Sequence, residues 1–267
     1  MLIDIHTHLD SFTEGEVSEI LARSRSAGVG LVITAGTTVE ASARSVQLAG
    51  RFDELFAGVG IHPMDLTGLV DEVTSERLRD LATLSDKVIV MSEIGLDFME
   101  GHPDRAVQYQ AFREQIRLAM DLDLPIVFHS RESHSEVLRL LREERAYQVG
   151  GAMHYFQADL RTAREAIDLG FFVSLARSLL RLPALQEVAA ELPLEDIVLE
   201  TDAAPQPFKD KRKNWTEPRH VSDVAVKLAE LKGVTRGEVE AVTSDNVARL
   251  LGGRWEAVNK VLSANDG

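Results

Sequence analysis

The chain has 267 residues, 45% of them apolar, and carries 29 Lys and Arg against 43 Asp and Glu, a net charge of −14, with no cysteine. Disulfides, zinc–thiolate sites and a cysteine nucleophile are therefore excluded, and the acidic surplus argues against a broad basic face that grips long duplex nucleic acid. No apolar run reaches the roughly 18 residues of a membrane span, and Met1-Leu2-Ile3-Asp4-Ile5-His6 lacks the basic stretch and apolar segment of an export signal, so the cytoplasm is the expected compartment.

Short, β-branched, apolar segments recur along the chain and predict strands. They are Leu2–His6, Gly30–Thr34, Leu55–Val59, Val88–Glu93, Pro125–His129, Gly150–His154, Phe171–Leu175 and Ile197–Thr201. Helical spacing separates most of them, over Glu16–Ala27, Ser75–Leu84, Arg105–Asp121, Ser135–Glu144, Leu160–Leu169 and Ala184–Glu191. In Arg105–Asp121 the side chains Tyr109, Phe112, Ile116 and Met120 return every three or four residues. After the eighth strand a charged loop leads into helices expected at Val221–Leu231, Arg236–Val242 and Ser244–Leu251. Eight alternations of strand and helix predict a parallel sheet with crossover helices, hence an α/β chain closed as a (β/α)8 TIM barrel. With no low-complexity linker and no break in composition, residues 1–267 read as one domain with C-terminal helices. The glycine patterns of doubly wound nucleotide binders, GxGxxG and GxxxxGK[ST], are missing at the places they would occupy.

The chemical residues keep the phase of these units. From His8 to His62, Glu93, His129, His154 and Asp202 the steps are 54, 31, 36, 25 and 48 residues, each one or two strand-plus-helix units. Each is expected at a strand end, where a parallel barrel gathers its reactive groups on one face. Scattered core histidines have no reason to keep that phase.

His6-Thr7-His8 puts two imidazoles two residues apart on a strand, so both face the same way and can converge on one cation. Asp10 could fix the tautomer of such an imidazole or simply cap the loop. Glu93 ends the apolar run Val88-Ile89-Val90-Met91-Ser92, where a carboxylate is costly to bury without a cation or an arginine. It could use one oxygen for each of two metals. His129 and His154 end successive strands, and Asp202 ends the eighth, where it could ligate a metal and take a proton from water. Asp97 reads as a loop residue or a support behind a ligand. His102, His134 and His220 read as surface residues.

Together, Ile3-Asp4-Ile5-His6-Thr7-His8-Leu9-Asp10, Gly60-Ile61-His62-Pro63, Ser92-Glu93-Ile94-Gly95-Leu96-Asp97, His129-Ser130-Arg131 and Leu199-Glu200-Thr201-Asp202-Ala203 resemble the TatD family of metal-dependent hydrolases. This is a branch of the amidohydrolase superfamily, and the resemblance runs from residue 2 to about 251. It implies a barrel with two divalent cations, Mg, Mn or Zn. By matching motif, His6, His8 and Asp202 would hold one metal, Glu93 would bridge, and His129 with His154 would hold the other. It also implies deoxyribonuclease activity, with 3′→5′ trimming of single-stranded DNA ends or cleavage of a small phosphodiester. No membrane and no stable protein partner are implied. Two stretches depart from the family: His154-Tyr155-Phe156-Gln157-Ala158, and the long loop from Ala204 to Thr216.

On this reading a metal-activated hydroxide attacks phosphorus, with Asp202 as general base and Glu93 bridging. His62 and Arg131 would neutralise phosphate oxygens. For His62 the alternative is a hydrogen bond within its own turn, and for Arg131 a surface pair with Glu132 or Glu136. Lys209, Lys211, Arg212, Lys213 and Trp215 could guide a strand and stack a base, or form a solvated charge run. The same ligands would equally serve hydrolysis of a carboxylic ester, amide or lactone. A non-catalytic, metal-stabilised scaffold is disfavoured, because structural zinc sites are usually closed with four ligands.

Overall fold

The computed structural model describes residues 1–209 and 211–265. Eight strands, β1 (Leu2–Thr7), β2 (Val29–Ala35), β3 (Leu55–Val59), β4 (Val88–Asp97), β5 (Ile126–Arg131), β6 (Gly151–Met153), β7 (Phe171–Leu175) and β8 (Ile197–Leu199), pair in sequential order. Every neighbouring pair is parallel. The ring closes through a parallel bridge from Thr7 to Ala203, with His8 N–H donating to Ala203 O at 2.8 Å and Asp202 N–H to His6 O at 3.0 Å. The TIM barrel expected from the alternation is the observed fold.

Among the described residues seven helices cover the outside, α1 (Glu14–Ser26), α2 (Val39–Ala49), α3 (Glu72–Thr83), α4 (Arg105–Asp121), α5 (His134–Glu143), α6 (Leu160–Asp168) and α7 (Pro183–Glu191). The sequence reading has no helix at α2, whose Ala- and Ser-rich stretch carries only a short apolar stripe. Thr38 starts it by accepting from Ala41 N–H. After β8 come α8 (Val221–Lys232), α9 (Arg236–Leu251) and α10 (Trp255–Asn265), the last not anticipated. The two helices expected over residues 236–251 are one. Thr243 stays within it by returning its hydroxyl to Val239 O at 2.8 Å.

Two apolar layers hold the barrel. The larger lies between strands and outer helices, for example Val17, Leu21, Phe112, Ile116 and Leu140 against Leu2, Met91 and Phe128. The smaller fills the barrel interior with Ile3, Ile5, Leu31, Ile33, Phe56, Ile89 and Val127. Val247, Leu250, Leu251 and Val258 from α9 and α10 join that inner cluster. They close the N-terminal end of the barrel, since Asn246 donates to Leu194 O and Ile197 O and Ser244 to Met1 O. The C-terminal end is left open.

A bulge decides what faces that open end. Ile3 and Ile5 already point inward, so plain alternation would send His6 and His8 outward with Leu2. Between Asp4 and Thr7, however, three steps of β1 match only two on β2, from Val32 to Thr34. The extra residue shifts the phase and turns both imidazoles toward the barrel axis. β4 has a similar shift against β5 between Met91 and Ile94, where the Ser92–Glu93 peptide is cis.

Candidate active site

Glu93 lies at the centre, with its side chain 4% exposed. Its two oxygens face different groups. Oε2 is 3.4 Å from His6 Nε2 and 3.4 Å from His8 Nε2. Oε1 is 2.9 Å from His154 Nε2, 3.0 Å from His129 Nδ1 and 3.4 Å from His62 Nε2. Asp202 completes the first side, its Oδ1 lying 3.3 Å from His8 Nε2 and 4.0 Å from His6 Nε2. The structure thus brings together His6, His8, His62, Glu93, His129, His154 and Asp202, from six of the eight strands and the residues that follow them. His62 sits three residues beyond its strand, as the expected range Leu55–Val59 implied. β8 ends at Leu199, so Asp202 lies three residues beyond it, and β4 runs on to Asp97, so Glu93 lies within its strand and not at the end.

The second ring nitrogen of each imidazole is held from behind. His8 Nδ1 lies 3.2 Å from Ala35 O, so Nδ1–H donates there and Nε2 is the nitrogen that faces the carboxylates. Asp10 does not perform this role, because its Oδ2 accepts from Ser11 Oγ and it makes no bond to an imidazole. His154 Nδ1–H donates to Glu200 at 3.1 Å and His129 Nε2–H to Asp97 at 2.9 Å. His6 Nδ1 meets Ser92 Oγ at 3.4 Å. Such carboxylate–imidazole pairs fix the tautomer and raise the basicity of a metal ligand.

The carboxylates behind the imidazoles are buried and busy. Asp97 ends β4, so it supports from a strand and not from a loop; it also meets His102 Nδ1 at 2.8 Å and Met99 N–H at 3.1 Å. Burial pushes its carboxyl up, but the bonds to His129 and Met99 prevail and hold it down at about 2. Glu200 accepts from Tyr155 N–H at 2.9 Å and from the Ser174 hydroxyl. Asp4 accepts from Thr201 through both oxygens, and burial pushes its carboxyl well above the usual range. The sequence reading missed Glu200 and Asp4. The signal was the one that exposed Glu93, an acid within an apolar strand.

His62 Nδ1 accepts from Met64 N–H at 3.1 Å, closing the short turn Pro63–Asp65. Nε2 must then carry the proton, so His62 presents a donor to the centre, although its ring lies among atoms close enough to share an ion with Glu93 and His129. Arg131, at the end of β5, is exposed; its Nη1 approaches Asp97 at 3.6 Å, and not Glu132 or Glu136. His102, His134 and His220 are half-buried, not surface residues, because each is tied down. His102 meets Asp97, His134 Nδ1 meets Ser130 Oγ at 2.7 Å, and His220 Nδ1 accepts from Glu217 N–H at 2.9 Å.

The centre opens into a cleft of about 730 Å³ lined by His8, His62, Arg131, Tyr155 and Asp202 among others. Three of its residues, Glu132, Tyr155 and Asp202, have φ between 47° and 53°. That left-handed backbone costs roughly 1–3 kcal/mol each for residues other than glycine, and such strain gathers at functional clefts.

Burial pushes the His8 and His154 imidazoles down, yet both end well above the ordinary value. For His8 the bonds and charges of Asp202 and Glu93 outweigh burial, and for His154 those of Glu200 and Glu93 do. Burial also pushes Glu93 up, but the surrounding His62 and His154 imidazoles bring it well below the usual range. A mixed N and O donor set of this kind suits a divalent cation, which would replace those protons as the positive charge. Among the described residues three groups have ligand atoms close enough to share an ion, His6–His8–Glu93, His6–His154–Asp202 and His62–Glu93–His129.

Comparison with known proteins agrees with this chemistry. The family model described as TatD related DNase matches residues 3–252. The metal-dependent hydrolase YabD of Bacillus subtilis is 33% identical over 258 residues, covering 94% of this chain and 98% of that protein. The 3′-5′ ssDNA/RNA exonuclease TatD of Cronobacter sakazakii is 34% identical over 246 residues, covering 87% and 90%. The crystal structure of YjjV, a TatD homologue from Escherichia coli, superposes with a TM-score of 0.82 at 29% identity, covering 93% of this chain and 97% of that one. The chain belongs to the TatD-related DNase family of metal-dependent hydrolases.

Proposed function

We propose that the protein hydrolyses phosphodiester bonds at the ends of single-stranded nucleic acid, using two divalent cations. His6, His8 and Asp202 would hold one, His129 and His154 would hold the other, and Glu93 would serve both. The observation that carries this reading is the split of Glu93, one oxygen toward His6 and His8 and the other toward His129 and His154. Bound there, divalent cations supply Lewis acidity and make water acidic enough to attack near neutral pH.

The protein's own groups do the rest. Asp202 is 32% exposed to the cleft where Glu93 is 4% exposed, so Asp202 is the carboxylate open to an attacking water and able to take its proton. His62 Nε2–H donates to a phosphate oxygen, its tautomer held by Met64 N–H. Arg131, on the rim, neutralises a second oxygen. The substrate class follows the Cronobacter relative's name, and a cleft of about 730 Å³ favours a strand end over a duplex about 20 Å across. Residues 1–267 act as one domain, with α9 and α10 closing the end of the barrel away from the chemistry.

The test uses metal-stripped protein with Mg²⁺, Mn²⁺ or Zn²⁺ restored singly. Substrates are 3′-labelled single-stranded DNA and RNA, the matching duplexes, and a panel of esters and lactones. Metal-dependent release of mononucleotides from single strands is expected, with duplexes slower. Hydrolysis of an ester or lactone with both nucleic acids left intact would refute the reading.

A further inference from the structure

Two segments rise from the catalytic end of the barrel beside the cleft, the turn Arg177–Leu180 after β7 and the loop between β8 and α8. A hydrogen-bonded hub joins them. Gln206 Oε1 accepts from Thr216 N–H at 2.8 Å and from Lys209 Nζ at 2.6 Å, and Thr216 Oγ1 lies 3.3 Å from Arg177 Nη1. Lys209 also donates to Asn214 O at 3.1 Å. Arg177 and Lys209 are thus held side by side through one glutamine and one threonine.

Neighbouring cations are neutralised, and among the described residues these are not. Arg23 and Arg219 pair with Glu217, and Arg212 pairs with Glu16. Arg212 also stacks on Trp215 at 4.0 Å and on Phe12 at 4.7 Å, so both Arg212 and Trp215 latch the loop onto α1 instead of reaching for a strand. Among the described residues no carboxylate pairs with Arg177, Arg181 or Lys209. Arg177 Nε is buried without a partner. Burial and the charges of Arg177 and Arg181 push the Lys209 ammonium down. Three cations with no carboxylate partner among the described residues, at one rim of a chain with net charge −14, leave room for an anion from outside. Ala204, at the start of the loop that carries Gln206 and Lys209, lines the cleft, so the cluster adjoins the reactive centre. Beside Lys209, Phe208 is 78% exposed.

We propose that Arg177, Arg181 and Lys209 form a phosphate-binding subsite, flanked by Phe208 as a stacking surface for a base, which holds the strand next to the phosphodiester being cut. This rests on the nucleic-acid reading above. Aromatic rings interleaved with cations are the usual means of gripping single strands without regard to sequence.

The test compares the metal-loaded wild type with an Arg181→Gln, Lys209→Gln double variant and with Phe208→Ser. Glutamine keeps a donor where Lys209 meets Gln206 and Asn214. Substrates are a short single-stranded oligonucleotide and bis(p-nitrophenyl) phosphate. The double variant should raise KM for the oligonucleotide about tenfold, hold kcat within about twofold, and make log KM about 1.4 less steep in log salt, roughly 0.7 per lost phosphate contact. Phe208→Ser should raise KM about threefold with the salt slope unchanged. Both should cleave bis(p-nitrophenyl) phosphate as wild type does. Wild-type KM and salt slope in both variants would overturn the subsite, as would equal losses on both substrates. A wild type that cleaves bis(p-nitrophenyl) phosphate but no oligonucleotide would instead overturn the nucleic-acid reading, and the subsite with it.

Discussion

Asp97→Asn probes the support behind the centre without touching the carboxylates that face it. Asp97 is fully buried, accepts from His129 at 2.9 Å, and is held at about 2 against an ordinary 3.8. The ionised form is therefore favoured by about 2 kcal/mol, which asparagine, a mimic of the protonated acid, forgoes. Because the folded pKa is depressed, this contribution is present above the ordinary 3.8 and lost as pH falls through about 2. In metal-stripped protein, the variant should unfold about 2 kcal/mol more easily at pH 7, or melt about 4 °C lower. The gap should shrink to about half by pH 3. The same substitution lets the His129 ring turn, so divalent-metal affinity should fall roughly 10- to 100-fold. Urea unfolding across pH, and titration of metal against a chelator, measure the two effects. A variant with wild-type stability at pH 7 and wild-type metal affinity would refute the reasoning.

Two further outcomes follow from the site. His8 and His154, pushed above the ordinary 6.5 by their carboxylates, hold protons in the metal-free protein that a cation must displace. Calorimetry in buffers of different ionisation heat should show net proton release on metal binding, and affinity should weaken as pH falls; proton-neutral binding from pH 6 to 8 would contradict this. Gly95→Ala tests how closely β4 approaches β5, since a Cβ there would lie 2.0 Å from His129 O on a backbone with φ of 151°. A loss of about 3 kcal/mol or more is expected, together with weakened metal binding, and a variant that melts like wild type would refute it.

The strands and most of the candidate centre were legible in the linear order of residues, because those signals are local. Apolar β-branched runs mark the strands, helical spacing marks α4, and polar residues at strand ends mark the catalytic face. His6, His8, Glu93, His129, His154 and Asp202 could be picked out because each breaks an apolar or regular pattern at the phase a parallel barrel repeats. What lay behind them could not, because it depends on which strands become neighbours. Ala35 O rather than Asp10 orients His8, and Asp97 and Glu200 orient His129 and His154 across bonds that exist only once the ring has closed. The β1 bulge likewise reverses the face that plain alternation assigns to His6 and His8. The basic loop divides for the same reason. Composition counts Arg212 with its neighbours, but packing against Phe12, Trp215 and Glu16 takes its charge out of use, while Lys209 is brought to Arg177 from another strand end. A side chain's identity is local, but its partner is set by closure of the barrel.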